Sequence, residues 1–487
     1  MPSNEPSAFE LRQRAFIERF QDRDLDELDL GTVVVIPSIS FRSVELRKIT
    51  GIEFYEERML FTLLWLRRPH LRIVYVTSVE IDPDIIDYYL SFLEDPEHAR
   101  SRLTLVSLGD SEPRALSSKL IERPDMLRAI SRAIPDVTDA FMLNFNITEW
   151  ERSLADTLDV ALYGPTPELV SLGSKSGSRR VARRAGVPVL EGSEDLHSVP
   201  EMERAVDALL RRRPAAEAVV LKLNLGFSGQ GNAIVNLDQL ASPLPSSPTA
   251  FCAEEENWDS FEQKIELEGG IVEELVRASD AVSPSAQFRI LPGGRVELVS
   301  THDQILGGPD NQVYIGCRFP SGSAYRELIA RFGSRVAEAL SREGVIGSFG
   351  MDFIGFRDGN AYDMYLGEIN LRLGGTTHPF QMARLTTEGT LHADTGELIA
   401  SGAPIKYVAT DNLKSDSYRS LRPADVIALF DKRGLLFDKT APTGVTLHLL
   451  GALNDYGKLG MVCIARSQSD ADELYNEALG VLDGYTS

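Results

Sequence analysis

Residues 347–379, GSFGMDFIGF…YLGEINLRLGGTTHP, constrain this chain more than any other segment. Two strand-like runs flank Asp358-Gly359, a turn signal, so the chain folds back on itself here as a hairpin. The first run carries Asp352 and the second carries Glu368 and Asn370. All three are oxygen donors of the kind that suits Mg²⁺, an ion that keeps some waters and completes its shell from substrate phosphates. Glu368 and Asn370 are two apart on one strand and share a face, roughly 6.5–7 Å apart at Cα. A plain two-residue turn at Asp358-Gly359 would put Asp352 on the opposite face from Glu368. The three converge only if the turn is odd or bulged. We expect a three-residue loop at 358–360 with Gly359 or Asn360 left-handed. An exposed acidic hairpin is the plainer reading of the same residues.

The rest of the chain narrows the choice. With 487 residues it can build two to four domains with sizeable cores. A formal charge of −22 argues against a nucleic-acid binder, which needs a basic face. Three scattered cysteines, Cys252, Cys317 and Cys463, fit a reducing compartment better than a disulfide framework. The start, MPSNEPSAFELRQ, lacks a signal-peptide pattern, and no run approaches ~18 apolar residues. A cytoplasmic enzyme with no membrane partner is the expectation.

From Thr32 to about Gly164, near-continuous apolar runs (33–37, 72–78, 103–108, 140–146) alternate with helical patterns such as 54–68. Buried parallel strands in an α/β layer domain have this form. A helix over 168–185 and a strand at 219–225 follow, with a Pro/Ser-rich loop at 240–251. Strand patterns resume at 269–276, 287–291 and 295–301, and a helix spans about 323–342. The last part, from about Lys406, has its own strands and ends in a helical run.

Several upstream residues bear on the hairpin. Lys222 precedes GFSGQGN (226–232), which includes Ser228, Gly229, Gln230 and Gly231. The loop lacks the Gly-Lys-Ser/Thr ending of a Walker A motif and lies between two strands, not ahead of a helix. It suits either a flap over phosphates or an ordinary hairpin tip. IVEELV (271–276), with Glu273, Glu274 and Val276, offers backbone and carboxylate groups to an adenine edge, or is a strand end with solvated glutamates. Lys175 lies in a helix, and Gln287 and Arg289 lie on the strand QFRIL; Asp303 and Arg318 follow. Beyond Asn370, Arg372 can pair with a phosphate or carboxylate oxygen. His378 can bond a ligand or serve as a structural histidine.

The order of these motifs resembles the ATP-grasp superfamily over residues 165–405. The segments GEINLRLGGTTHPF and THDQILGG, with the tail from DNLKSDSYR through GVTLHLLGAL, look more specifically like the pheganomycin-type peptide ligases over nearly the whole chain. That resemblance implies an α/β pre-ATP-grasp domain (1–164), an ATP-grasp core of two α+β lobes (165–405, small lobe about 175–275) and a small C-terminal α/β domain (406–487). It implies ATP and Mg²⁺ as cofactors. Lys175, Lys222 and the Ser228–Gly231 flap would hold phosphates, and Glu273, Glu274 and Val276 would line the adenine. Gln287 stands where many relatives place a ribose-binding Glu. Asp352, Glu368 and Asn370 would hold the metal. Arg372 would face an acyl-phosphate, with Arg289 and His378 as further catalytic candidates. The implied reaction is ADP-forming ligation of an amino-acid-like carboxylate to an amine, expected to be that of a peptide. A small-molecule amino-acid ligase, a kinase and an inactive nucleotide-binding scaffold are the alternatives, and a homodimer is possible.

Overall fold

The computed structural model describes residues 6–21, 23, 31–226, 231–253, 256–278, 280–307, 313–392 and 395–485. Within these residues the strands form three sheets. The first is parallel and ordered β3-β2-β1-β4-β5. Its strands are β1 (Thr32–Ile36), β2 (Arg72–Thr77), β3 (Leu103–Ser107), β4 (Ala140–Asn144) and β5 (Ala161–Leu162). The uninterrupted apolar runs have a simple cause. Val33, Val35, Ile73, Tyr75 and Phe141 face one core. Val34, Ile36, Val74, Val76 and Met142 face a second core on the other side. A strand covered on both faces has no polar side to alternate with.

The expected helix at 54–68 is instead a 3₁₀ helix, Ile52–Arg67. It is long for its type. Most of it is buried, from Tyr55 through Leu66, so no amphipathic stripe selects the 3.6-residue period.

The second sheet is antiparallel and ordered β6-β10-β7-β8-β9. It comprises β6 (Gly192–Leu196), β7 (Ala218–Leu223), β8 (Asn232–Asn236), β9 (Thr249–Phe251) and β10 (Gly270–Glu274). The helices Val199–Arg212 and Trp258–Glu268 pack on it around a separate core of Met202, Leu209, Leu221, Phe261 and Val272.

The third sheet carries the hairpin. Its strands are β11 (Pro284–Ile290), β12 (Val296–Gly307), β13 (Val313–Phe319), β14 (Gly347–Asp358), β15 (Ala361–Asn370), β16 (Thr390–His392), β17 (Glu397–Ala400), β18 (Ala403–Lys414), β19 (Gly444–His448) and β20 (Lys458–Ala465). The order β15-β14-β11-β12-β13-β18-β17-β16 is extended by β20 on β18 and β19 on β20. The expected division at 405/406 falls inside β18. Alternation along β11 sorts its faces. Ala286, Phe288 and Ile290 pack under the helix Arg326–Arg342, while Gln287 and Arg289 take the other face. That second face holds the site. Helix Lys175–Arg184 contacts both the second and third sheets and sends Val181 and Ala182 into the same core as Phe288.

Candidate functional site

The hairpin meets the convergence condition by a different device from the one expected. Asp358 pairs with Ala361, so the loop is the two residues Gly359 and Asn360, with Gly359 at φ 60°. A regular ladder from that turn would oppose Asp352 to Gly367. The register instead shifts between Phe353↔Leu366 and Asp352↔Glu368, leaving Gly367 as a bulge. Gly350 then pairs with Asn370, and Asp352, Glu368 and Asn370 share one face. The three-residue loop at 358–360 is therefore corrected to a bulge nearer the site.

On that face, Asn370 Nδ2 donates to Asp352 Oδ2 at 2.9 Å, and Gln304 Nε2 donates to Asp352 Oδ1 at 2.7 Å. Burial pushes the Asp352 carboxyl up, against the Lys175 and Arg372 charges that favour its anion. Lys175 Nζ pairs with Glu368 Oε2. Burial pushes the Lys175 ammonium down to about 7, and the nearby Lys222 charge adds to this. The donor set is two carboxylates and an amide oxygen on adjacent strands, with cations already drawn to them. That chemistry fits Mg²⁺. Ser285, opposite Asp352 in β11, has a buried hydroxyl with no partner among the described residues.

Lys175 is placed by its helix start. Ser174 Oγ accepts from Gly177 N at 3.0 Å as an N-cap. Asn224, just past β7, takes Lys175 N on its carbonyl at 3.2 Å and Ser176 N on Oδ1 at 2.9 Å. One residue thus ties the Lys175 helix to the end of the Lys222 strand. Lys222 Nζ donates to Glu273 Oε2 at 2.6 Å, and Arg179 Nη1 donates to Glu273 Oε1 at 2.5 Å. Glu273 and Arg179 are each 1% exposed. The Glu273 carboxylate is therefore committed to two cations and positions Lys222. Glu274 pairs with Arg213 at 3.1 Å, and Val276 is half-buried just beyond β10.

β7 and β8 are antiparallel, and Leu223 N donates to Gly231 O at 2.9 Å at the loop base. Residues 224–231 therefore join two antiparallel strands. Gly231, at φ 84°, is described; Ser228, Gly229 and Gln230 lie outside the described residues. Gln287 lies across Gly350, where an added Cβ would meet its Oε1 at 2.7 Å. That sets it beside the Asn370 pair. Arg289 is paired with Glu297 at 2.6 Å. Asp303 accepts from Tyr325 Oη and Gly322 N, and Arg318 pairs with Asp472, all consistent with structural roles.

Arg372 Nη2 donates to Asn370 Oδ1 at 2.8 Å and Nη1 to Leu373 O at 3.0 Å. It has no carboxylate within ion-pair distance among the described residues. Burial lowers its guanidinium to about 10. A half-buried cation bonded to neutral acceptors suits an anionic ligand.

His378 is corrected. It lies 2% exposed in the helix Thr377–Thr387, with Nδ1 3.0 Å from Arg58 O, Nε2 3.4 Å from Tyr89 Oη, and its ring against Phe61 and His448. Burial, with His448 beside it, holds it well below the usual imidazole range. A neutral, enclosed imidazole with both nitrogens engaged is structural. Sequence reasoning passed over Gln304, Arg179 and Asn224. Arg179 had a signal: it lies one helical turn after Lys175, on the same face.

The IQCH-like ATP-grasp family matches residues 246–394, and the PGM1 C-terminal domain matches residues 425–478. The chain is 30% identical over 470 residues to the L-propargylglycine–L-glutamate ligase of Streptantibioticus cattleyicolor, covering 93% of this chain and 94% of that protein. In fold it resembles the biotin carboxylase–β,γ-ATP complex from Campylobacter jejuni (TM-score 0.56, 15% identity, 92% and 91% of the two chains). It also resembles N5-carboxyaminoimidazole ribonucleotide synthetase in an ADP complex (TM-score 0.53, 13% identity, 94% and 98%). With a ligase relative matched over 93% of this chain and 94% of its own length, and an ATP-grasp family model matching within it, this chain belongs to the ATP-grasp family and is a ligase.

Proposed function

We propose that this ligase joins the carboxylate of one amino acid to the amine of another amino acid or a short peptide, with ATP cleaved to ADP and phosphate. The observation that carries the reading is the single face on which Asp352, Glu368 and Asn370 meet Lys175, with Arg372 at its edge. Lys175 and Lys222 bind the nucleotide phosphates. Glu273 and Glu274 border the adenine, with Glu273 also holding Lys222 in place. Asp352, Glu368 and Asn370 would hold Mg²⁺, which when bound supplies positive charge beside the phosphates. A substrate carboxylate oxygen attacks the γ-phosphorus, the bond to the β-phosphate oxygen breaks, and ADP leaves. Arg372 offers its guanidinium to the acyl-phosphate. The amine nitrogen then attacks the acyl carbon, phosphate departs, and the nitrogen loses a proton.

The test is ADP release coupled to mass spectrometry of the products. Release should require both a carboxylate and an amine, which separates ligation from kinase action. Glu368→Ala should lower turnover about 100-fold or more while the melting temperature stays close to that of the parent. Unchanged product formation in that variant would sink the metal-assisted reading.

A further inference from the structure

Gln304 is tied to the candidate metal face from another strand. β12 lies two strands from β14, with β11 between them. Asp352 of β14 and His302 of β12 both stand opposite Ser285 of β11, so the three side chains share one face. Gln304, two residues beyond His302, takes that face as well. Only the small Ser283 and Ser285 stand on the same face between the two strands, and the longer amide reaches across them. Gln304 Nε2 donates to Asp352 Oδ1 at 2.7 Å.

Chemistry assigns both ends of that amide. An ionised carboxylate only accepts, so the Gln304 NH₂ group must be the end that faces Asp352. The other end, Oε1, accepts from Ser283 Oγ at 2.9 Å, and Gln304 N donates to Ser283 O at 3.0 Å. Ser283 therefore holds Gln304 by side chain and main chain. Asn370 is fixed in the same way. Arg372 only donates, so its Nη2 meets Asn370 Oδ1 at 2.8 Å, and Asn370 Nδ2 is left for Asp352 Oδ2 at 2.9 Å. The result is one chain of bonds, Ser283–Gln304–Asp352–Asn370–Arg372.

That chain sets the orientation of the Asp352 carboxylate. Oδ1 is drawn across the sheet toward β12, and Oδ2 toward β15, where Glu368 and Asn370 stand. One oxygen faces the other two donors and the second is held away. Lys175 likewise takes Glu368 by Oε2. Carboxylates that each present one oxygen suit Mg²⁺, whose near-octahedral shell lies at about 2.0–2.1 Å. Ca²⁺ has a larger and looser shell at about 2.3–2.6 Å and takes carboxylates through one oxygen or both. Ser285 Oγ, in a residue 1% exposed, has no partner among the described residues and is a further polar group on this face that ion-held water can meet.

We infer that Gln304 is the positioning residue that limits Asp352 to one metal-facing oxygen, and that it sets a preference for Mg²⁺ over Ca²⁺ at this site. Gln304 acts through Asp352, with Ser283 behind it. Freed of the Gln304 bond, the carboxylate loses its set orientation. Mg²⁺, with its strict geometry, then loses affinity, whereas Ca²⁺ accepts either mode and is little affected. The inference rests on the metal-assisted reading above and adds what selects the ion.

Calorimetric titration of ADP into the full chain tests this without turnover and without the substrates to be joined. Three buffers are compared, with saturating Mg²⁺, with saturating Ca²⁺ and with EDTA. The parent should bind ADP more tightly with Mg²⁺ than in either other buffer. Gln304→Met, which keeps the side-chain length and removes the donor, should weaken binding about tenfold with Mg²⁺ and leave it little changed with Ca²⁺ or EDTA. Ser283→Ala should act in the same direction by a smaller factor. The two changes together should match Gln304→Met alone, as links of one chain do. An undiminished Mg²⁺ preference in Gln304→Met, an equal fall in all three buffers, or a parent that binds equally well with Ca²⁺ would overturn the role of Gln304 and leave the ligase reading standing. A parent that binds ADP no better with Mg²⁺ than with EDTA would overturn the metal-assisted reading as well.

Discussion

Glu57 shows how far a single side chain can be displaced from its ordinary chemistry in this fold. It lies 3% exposed in the 3₁₀ helix Ile52–Arg67, and its oxygens accept from Gly451 N at 3.1 and 3.3 Å. Burial pushes its carboxyl from 4.5 up to about 8, and its neighbour Glu56 is pushed to about 7. The folded state therefore prefers the protonated acids. That preference stabilises fully below about 4.5 and is lost as pH rises through about 7 to 8. Across that interval each tenfold fall in proton concentration costs roughly 1.4 kcal/mol for each acid. Glu57→Gln should flatten the fall in stability between pH 5 and 8, read as melting temperature against pH. Parallel curves for variant and parent would refute it. Legibility at this scale followed chemistry that needs company. Lys175, Lys222, Asp352, Glu368 and Asn370 stood in a recognisable order, and the structure brings Lys175 to Glu368. His378 was left between a ligand-bonding and a structural role because its neighbours Tyr89, Arg58 and His448 come from distant segments that no local pattern joins to it.

Among the elements, the hairpin and the Lys175 helix set the site. The sequence required a break in the ladder between Asp352 and Glu368, because period-2 alternation alone separates them. It could not locate that break. A bulge of one residue has no marker beyond a glycine, and Gly359 and Gly367 were both available. The Lys175 helix is held by close approach. Gly177 stands where a Cβ would lie 2.1 Å from Ser171 O and 2.9 Å from the Leu172 backbone. Those atoms belong to the 3₁₀ turn Pro167–Gly173, which is backbone and cannot swing aside. Gly177→Ala must push the helix start off that turn and carry Lys175 with it. We expect a stability loss of about 1–3 kcal/mol and a raised KM for ATP. A stable variant with unaltered nucleotide affinity would show that Lys175 does not depend on this contact.

Across the whole molecule, the two ends of the chain share one core. Tyr55, Leu60, Leu64 and Tyr89 cluster with Phe430, Leu447, Leu450, Met461 and Leu482. Leu447 N donates to Tyr88 Oη at 3.0 Å, and Lys458 Nζ donates to Tyr55 Oη at 2.6 Å. The C-terminal strands were legible as strands. The sheet they join was not, since local alternation says which face is buried and nothing about the partner strand. β18 and β20 in fact extend the sheet that carries the hairpin. The second sheet differs, with a core built within residues 196–272. Each buried Leu-sized side chain is worth about 1.5–3 kcal/mol, so a core shared by both ends binds them into one unfolding unit, whereas a self-contained core can open alone. Native-state hydrogen exchange in rising denaturant should therefore give one opening free energy for peptides covering 72–77 and 458–465. Peptides covering 218–223 and 270–274 should open at lower free energy, because fewer contacts hold that lobe to the rest. If 458–465 exchanged well before 72–77, the common core would not be a cooperative unit.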